Sequence, residues 1–209
     1  MTKIELLSFI RTLSNDKVLP YLATDAEILN FISEAEKEAA ERALYLRTDS
    51  SFNMRVLSGK ALVCIDSAII FIDRLKLQGK SSVLIKTSKA ELDFEVNDWE
   101  SRTGTPTHYY QTGHEITLYP KPDAAFVLQI DASRRPIEDM ETPEHRHEDL
   151  AYWCLHRIYS IPDSDLLDLG KSAENLKKFD AIFGHKRNES FNKMWQDMPK
   201  EPAFMRSPF

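Results

Sequence analysis

Three groups of side chains in this sequence are of the types that chemistry uses. His145-Arg146-His147-Glu148 invites a metal reading. Histidines that share a metal on a helix stand at i, i+3 or i+4, so that both rings lie on one face. Here the spacing is i, i+2, which splays the rings, and the segment reads as a polar first helical turn. His108 and His114 straddle a predicted hairpin turn and could face each other, with Cys64 and Cys154 elsewhere in the chain. No nucleophile turn accompanies them, and they read as solvated strand histidines. The third group is Glu91, Asp93, Glu95, Asp98 and Glu100. A glycosidase needs two acids converging across a cleft, whereas a run at spacing two lines one exposed strand face. Phosphate chemistry is no better served. There is no GxGxxG and no GxxxxGK[ST], and Arg102-Thr103-Gly104-Thr105-Pro106 leads into a strand instead of a helix N-terminus. The expectation is a chain with no catalytic residue, no cofactor and no metal.

The elements around these groups follow from periodicity. Ile4, Leu7, Ile10 and Arg11 predict a helix that Asn15-Asp16 ends, with Pro20 in the connection. Thr24-Asp25-Ala26-Glu27 is a capping box, hydroxyl and carboxylate satisfying each other's backbone amides. Behind it Ile28, Ile32, Ala35, Ala39, Ala43 and Leu46 predict a long helix over about 25–46. Its small residues suit close approach by another helix, in the same or an adjacent chain, and Glu34, Glu36, Glu38 and Glu41 cover the other side. From Ser50 to Pro136 the texture is of strands. Ser58-Gly59-Lys60 and Gln78-Gly79-Lys80 read as turns, and 68–72, 75–77 and 83–86 as strands. Residues 89–99 alternate, as a strand or a helical turn. Thr107–Thr112, Gly113 and Glu115–Tyr119 form a hairpin, Pro120–Asp123 a rigid turn, and Phe126, Leu128 and Ile130 a further strand. Residues 137–144 are an acidic loop. Pro143 opens a helix with Leu150, Trp153, Cys154, Arg157 and Ile158 on one face. Pro162–Asp165 caps another, over about 165–183, carrying Leu166, Leu169, Ala173, Leu176, Phe179, Ile182 and Phe183, with Gly184 as its C-cap.

The fold class expected is therefore α+β: a helical bundle (1–50 and 137–187) interrupted by a small antiparallel β domain (51–136), with an extended C-terminal arm (188–209). The 209 residues and 24.1 kDa suit one domain, or one core with a large insertion. The net charge of −6 is spread thinly: an excess of three acids in 1–50, one in 51–140 and two in 141–209. No basic stripe suggests nucleic-acid binding, no apolar run suggests a membrane span, and the N-terminus does not read as a signal peptide. Two cysteines make no framework, and both read as buried thiols of a reducing compartment. The arm is the anomaly. It holds three Phe, one Trp and three Met among three prolines, a composition unlike a solvated tail. Phe191, Met194, Trp195, Met198, Phe204 and Phe209 are the candidate interaction residues, for docking on another subunit or partner.

Gly104-Thr105-Pro106-Thr107-His108-Tyr109, followed by Leu118-Tyr119-Pro120-Lys121-Pro122, resembles the G-x-P-x-x-Y … L-x-P-x-P hairpin of head-to-tail connector (adaptor) proteins of tailed bacteriophages. Pro143, His147 and Leu150 resemble that family's P-x-x-x-H-x-x-L return to the helical core, and the helix after Thr24 its first helix pair. The resemblance implies a structural virion protein without an active site. It implies a homo-oligomeric, dodecameric ring of about twelve copies beneath the portal protein, extending the DNA channel toward a tail or nozzle protein. Packaged DNA would pass without sequence-specific binding, and the arm would embrace the portal or a neighbouring subunit. The chain would be made in the host cytoplasm and reside at the head-tail junction. The rival expectations are another neck or tail-side virion protein, and a small hydrolase or ligand-binding domain built on the strands.

Overall fold

Capping boxes start three of the helices. Thr2, Thr24 and Ser88 each accept the amide of a glutamate three residues on, and Glu5, Glu27 and Glu91 reach back to the cap amides at 2.7–2.8 Å. The computed structural model describes residues 1–162 and 165–186. Within them the chain divides into two compact units: Met1–Leu46 with the described residues from Arg134 onward, and Arg47–Ser133. The fold is α+β, helices interrupted by a β unit.

The helical unit contains α1 (Lys3–Ser14), α2 (Asp25–Ala43), α4 (His147–Ile158) and α5 (Leu169–Phe183). Leu6, Ile10, Ile28, Ile32, Ala35, Ala39, Leu150, Ala151, Cys154, Ile158 and Phe179 are fully buried in its core. The β unit contains β1 (Met54–Val56), β2 (Leu62–Cys64), β3 (Ile69–Leu77), β4 (Ile85–Lys86), α3 (Lys89–Glu95), β5 (Thr103–Gly104), β6 (His108–Thr112), β7 (Glu115–Tyr119), β8 (Lys121–Pro122) and β9 (Phe126–Arg134). β9 crosses from one unit into the other at its last residue. One sheet runs β1-β9-β3 and another β2-β7-β6-β4. Their inner faces share a core of Val56, Ile72, Leu75, Leu128 and Ile130 with Val63, Tyr109, Ile116 and Leu118.

Several expectations are corrected. In α1 the buried residues are Leu6, Ile10, Arg11 and Ser14, and Ile4 is exposed. α2 stops at Ala43 because Leu44 turns left-handed, so Leu46 lies beyond it. Glu36 is buried among the core helices instead of facing solvent, because it accepts bonds from the 140–142 turn. Residues 89–95 are helix, so the carboxylate run lines no strand face, and Ala90 and Phe94 are exposed. The sheets are not purely antiparallel: β4 pairs β6 and β5 pairs β8 in parallel. α4 begins at His147, after a short 3-10 turn from Pro143, and its buried strip runs through Ala151 and Leu155 as well. α5 begins at Leu169, capped by Asp168 on the Lys171 amide at 3.0 Å. That shift leaves Leu169 and Ala173 exposed and buries Ser172 and Asn175 instead. Cys154 is buried and Cys64 is exposed; both are free.

Candidate interaction surfaces

The histidines expected at a reactive centre are structural or dispersed. His108 is register partner to Tyr119 at the open end of the hairpin, while His114 sits in its turn, so the two do not face each other. His147 Nε2–H donates to the Thr142 carbonyl at 2.6 Å, which fixes the tautomer and leaves Nδ1 buried without a hydrogen bond. The same turn is held by Glu36, which accepts the Met140 and Thr142 amides and the Thr142 hydroxyl. Tyr45 shares a 2.8 Å bond with that hydroxyl, and burial raises its phenol. Burial likewise pushes the Cys154 thiol up, which makes it inert as a nucleophile. Among the described residues no three His, Cys, Asp or Glu side chains group as a metal site, and no helix is long and apolar enough to cross a membrane.

The hairpin motif is structural at Gly104, Tyr109, Leu118 and Pro122. Tyr109 is paired with Leu118 in the register and both are buried. Gly104 and Pro122 are partners in the β5–β8 pair, and the Asp123 amide donates to the Gly104 carbonyl. Trp99 packs edge-on against Tyr110 and Tyr119 and donates through Nε1 to Asp93 at 2.7 Å. That cluster closes over the outer face of the hairpin.

The surfaces able to act are in the helical unit. The first is the loop between α1 and α2, which exposes Val18, Leu19 and Leu22. It is pinned from beneath. Arg11 donates to Asp16, to the Ala23 carbonyl and to Asp25, and lies 3.6 Å from the Tyr21 ring. Asp16 also accepts the Leu22 and Ala23 amides at 3.0 Å. An ion pair this buried does more to set the path of a loop than to stabilise the fold.

The second surface is an open groove of about 510 Å³ between α1, α4 and α5. Phe9, Leu13, Tyr152, Leu155 and Tyr159 supply its apolar side chains. Along the rim Lys178 pairs with Glu174 at 2.7 Å, which lowers the carboxyl and raises the amine, and Lys171 pairs with Asp168. The signal for this groove was in the sequence. Phe9 and Leu13 stand four apart, and Tyr152 widens the apolar stripe of α4 beside the core residues Leu155 and Tyr159.

The third feature fixes the end of α5. Arg42, buried between the Trp153 and Phe179 rings, donates to Glu38, Asp180 and the Gly184 carbonyl. Lys186 then reaches Glu38 at 2.6 Å. The interaction residues expected from sequence, Phe191, Met194, Trp195, Met198, Phe204 and Phe209, lie outside the described residues.

No curated protein matches the sequence. The family model described as SU10 adaptor protein matches residues 1–200, which takes in both units and both halves of the hairpin motif, and on that span the chain belongs to the SU10 adaptor protein family, a family of phage adaptors.

Proposed function

We propose that the chain is a head-to-tail adaptor that forms a ring between the portal protein and the tail, with the channel for packaged DNA along the ring axis. The observation that carries this reading is the family match over residues 1–200. It is supported by what the surfaces offer. The open groove is floored by aromatic and aliphatic side chains, and His147, Cys154 and Glu36, which chemistry would recruit, are buried in the core. Such surfaces recognise other proteins by filling apolar pockets. A dodecameric ring matches the reading, and the thin acidic excess suits a channel that DNA slides through without adhering. Residues 188–209 act as an assembly arm, with Phe191, Met194, Trp195, Met198, Phe204 and Phe209 as its contacts with the portal or a neighbouring subunit. No catalytic role is assigned.

Imaging of particles carrying the wild-type chain, and of particles made with a chain ending at Asn188, tests this. The expected result is a ring of density at the portal for the wild type. The truncated chain is expected to melt at an unchanged temperature and to be missing from particles. Density on the tail side of the neck, away from the portal, overturns the reading. Normal incorporation of the truncated chain removes the arm from it.

A further inference from the structure

The groove between α1, α4 and α5 is open, and three observations say what fits it. A groove between helices recognises an amphipathic helix through anchors at i, i+3, i+4 and i+7. Phe191, Met194, Trp195 and Met198 stand at that spacing, and Pro199 closes the stretch. Charge agrees as well. On the rim Lys178 and Lys171 are occupied by Glu174 and Asp168, which leaves Glu148 and Asp149 beside the opening for Lys193.

The third observation is where the described chain ends. Gly184 breaks α5 at a φ of +89°, and Lys186 and Asp180 are tied to Glu38 and Arg42 of α2. The groove is lined by the opposite flank of α5, through Lys171, Glu174, Asn175 and Lys178. Residues 187–190 are all that separate Lys186 from Phe191, and the five steps between those two Cα atoms span about 17 Å when fully extended. Half a turn round a helix of about 10–12 Å diameter uses about 16–19 Å before any advance along the groove. A chain's own arm therefore has no length to spare for an advance along its own groove, a limit that the arm of a second copy does not meet.

We propose that the groove receives residues 191–198 of a second copy of the chain, bound as one amphipathic helix with Trp195 as its central anchor. This rests on the reading of 188–209 as an assembly arm and names the surface that the arm meets.

The test mixes two full-length variants. Leu13→Glu spoils the groove and leaves the arm, and Trp195→Ala spoils the arm and leaves the groove. Tyr152→Ala replaces Leu13→Glu if the latter lowers the melting temperature. Sedimentation across a concentration series is expected to show self-association of the wild type. Each variant alone should associate about thirtyfold or more weakly, as for a hot-spot side chain. An equimolar mixture should recover a pair that grows no further, because it keeps one intact groove and one intact arm. A wild type that stays monomeric throughout, variants that associate as the wild type does, or a mixture that stays dissociated each overturn the proposal. Because the readout is the purified chain, its failure is separable from failure to join the portal in particles.

Discussion

Two buried polar side chains carry more of the fold than their number suggests. Glu36 accepts two backbone amides and a hydroxyl from the 140–142 turn, where Met140 holds a φ of +60°. Replacing it with an apolar residue of similar size strands those donors, and a buried donor without a partner costs about 1–3 kcal/mol. Glu36→Leu is expected to destabilise by about 3 kcal/mol in urea titration, with Glu36→Gln losing less because its carbonyl still accepts. Tyr109 is the second. Burial, with the charge of Asp73 adding to it, pushes its phenol from 10.0 to about 12. In the unfolded chain the phenol ionises near 10, so above that pH the unfolded state gains from ionising while the folded state keeps its proton. The resulting stability is whole below pH 10 and is lost as pH rises toward 12, by about 2–3 kcal/mol. Urea midpoints of the wild type and Tyr109→Phe across that range check this: the variant lacks that part of the alkaline loss.

At the scale of elements, small residues decide how closely the helices meet. Ala35 and Ala39 are fully buried on α2, which packs on α4. Ala39→Leu is expected to cost about 1–3 kcal/mol by overpacking, measured as a lower melting temperature with helicity retained. Much of this layer was legible beforehand. The Thr24 box, the hairpin about Gly113 and the Gly184 stop follow from local chemistry that tertiary contacts do not override. What was misread has physical causes. Ser88-x-x-Glu91 is a capping box as plain as Thr24's, but apolar alternation over 90–96 competes with it, and only Leu92 ends up buried. α5 starts at Leu169 because Asp168 finds the Lys171 amide; Pro162–Asp165 carries the same cap signal, and which cap operates depends on where α4 lets the chain return. Glu36 looked solvated because its partners lie about a hundred residues away. The groove as a whole is not legible in the sequence for a related reason: its walls come from three helices, and α1 lies more than a hundred residues from α4 and α5.

Across the whole molecule the β unit is an insertion whose ends meet. Arg47 and Ser133 form an antiparallel bridge, the Thr48 amide donates to Ala132 at 2.9 Å, and on the other side of the boundary the Arg134 amide donates to Leu46 at 3.0 Å. Among the described residues, the core of the β unit is drawn from Arg47–Ser133 alone. Residues 47–133 expressed alone are expected to fold, seen as a dispersed amide NMR spectrum and one cooperative melt; a collapsed spectrum would show that the helices are required. The closed doorway also sets an order of events during synthesis. α1 and α2 leave the ribosome first, yet α4, the helix on which α2 packs most, follows the whole insertion. At ordinary translation rates the apolar face of α2 waits about 5–20 s for it. Bringing Leu46 and Arg134 together across an unfolded insertion would cost about 4 kcal/mol in chain entropy. If the β unit, contiguous in sequence, folds before α4 arrives, as the isolated 47–133 experiment tests, that cost is removed and the nascent insertion acts as the clamp that lets the older half of the bundle find the newer.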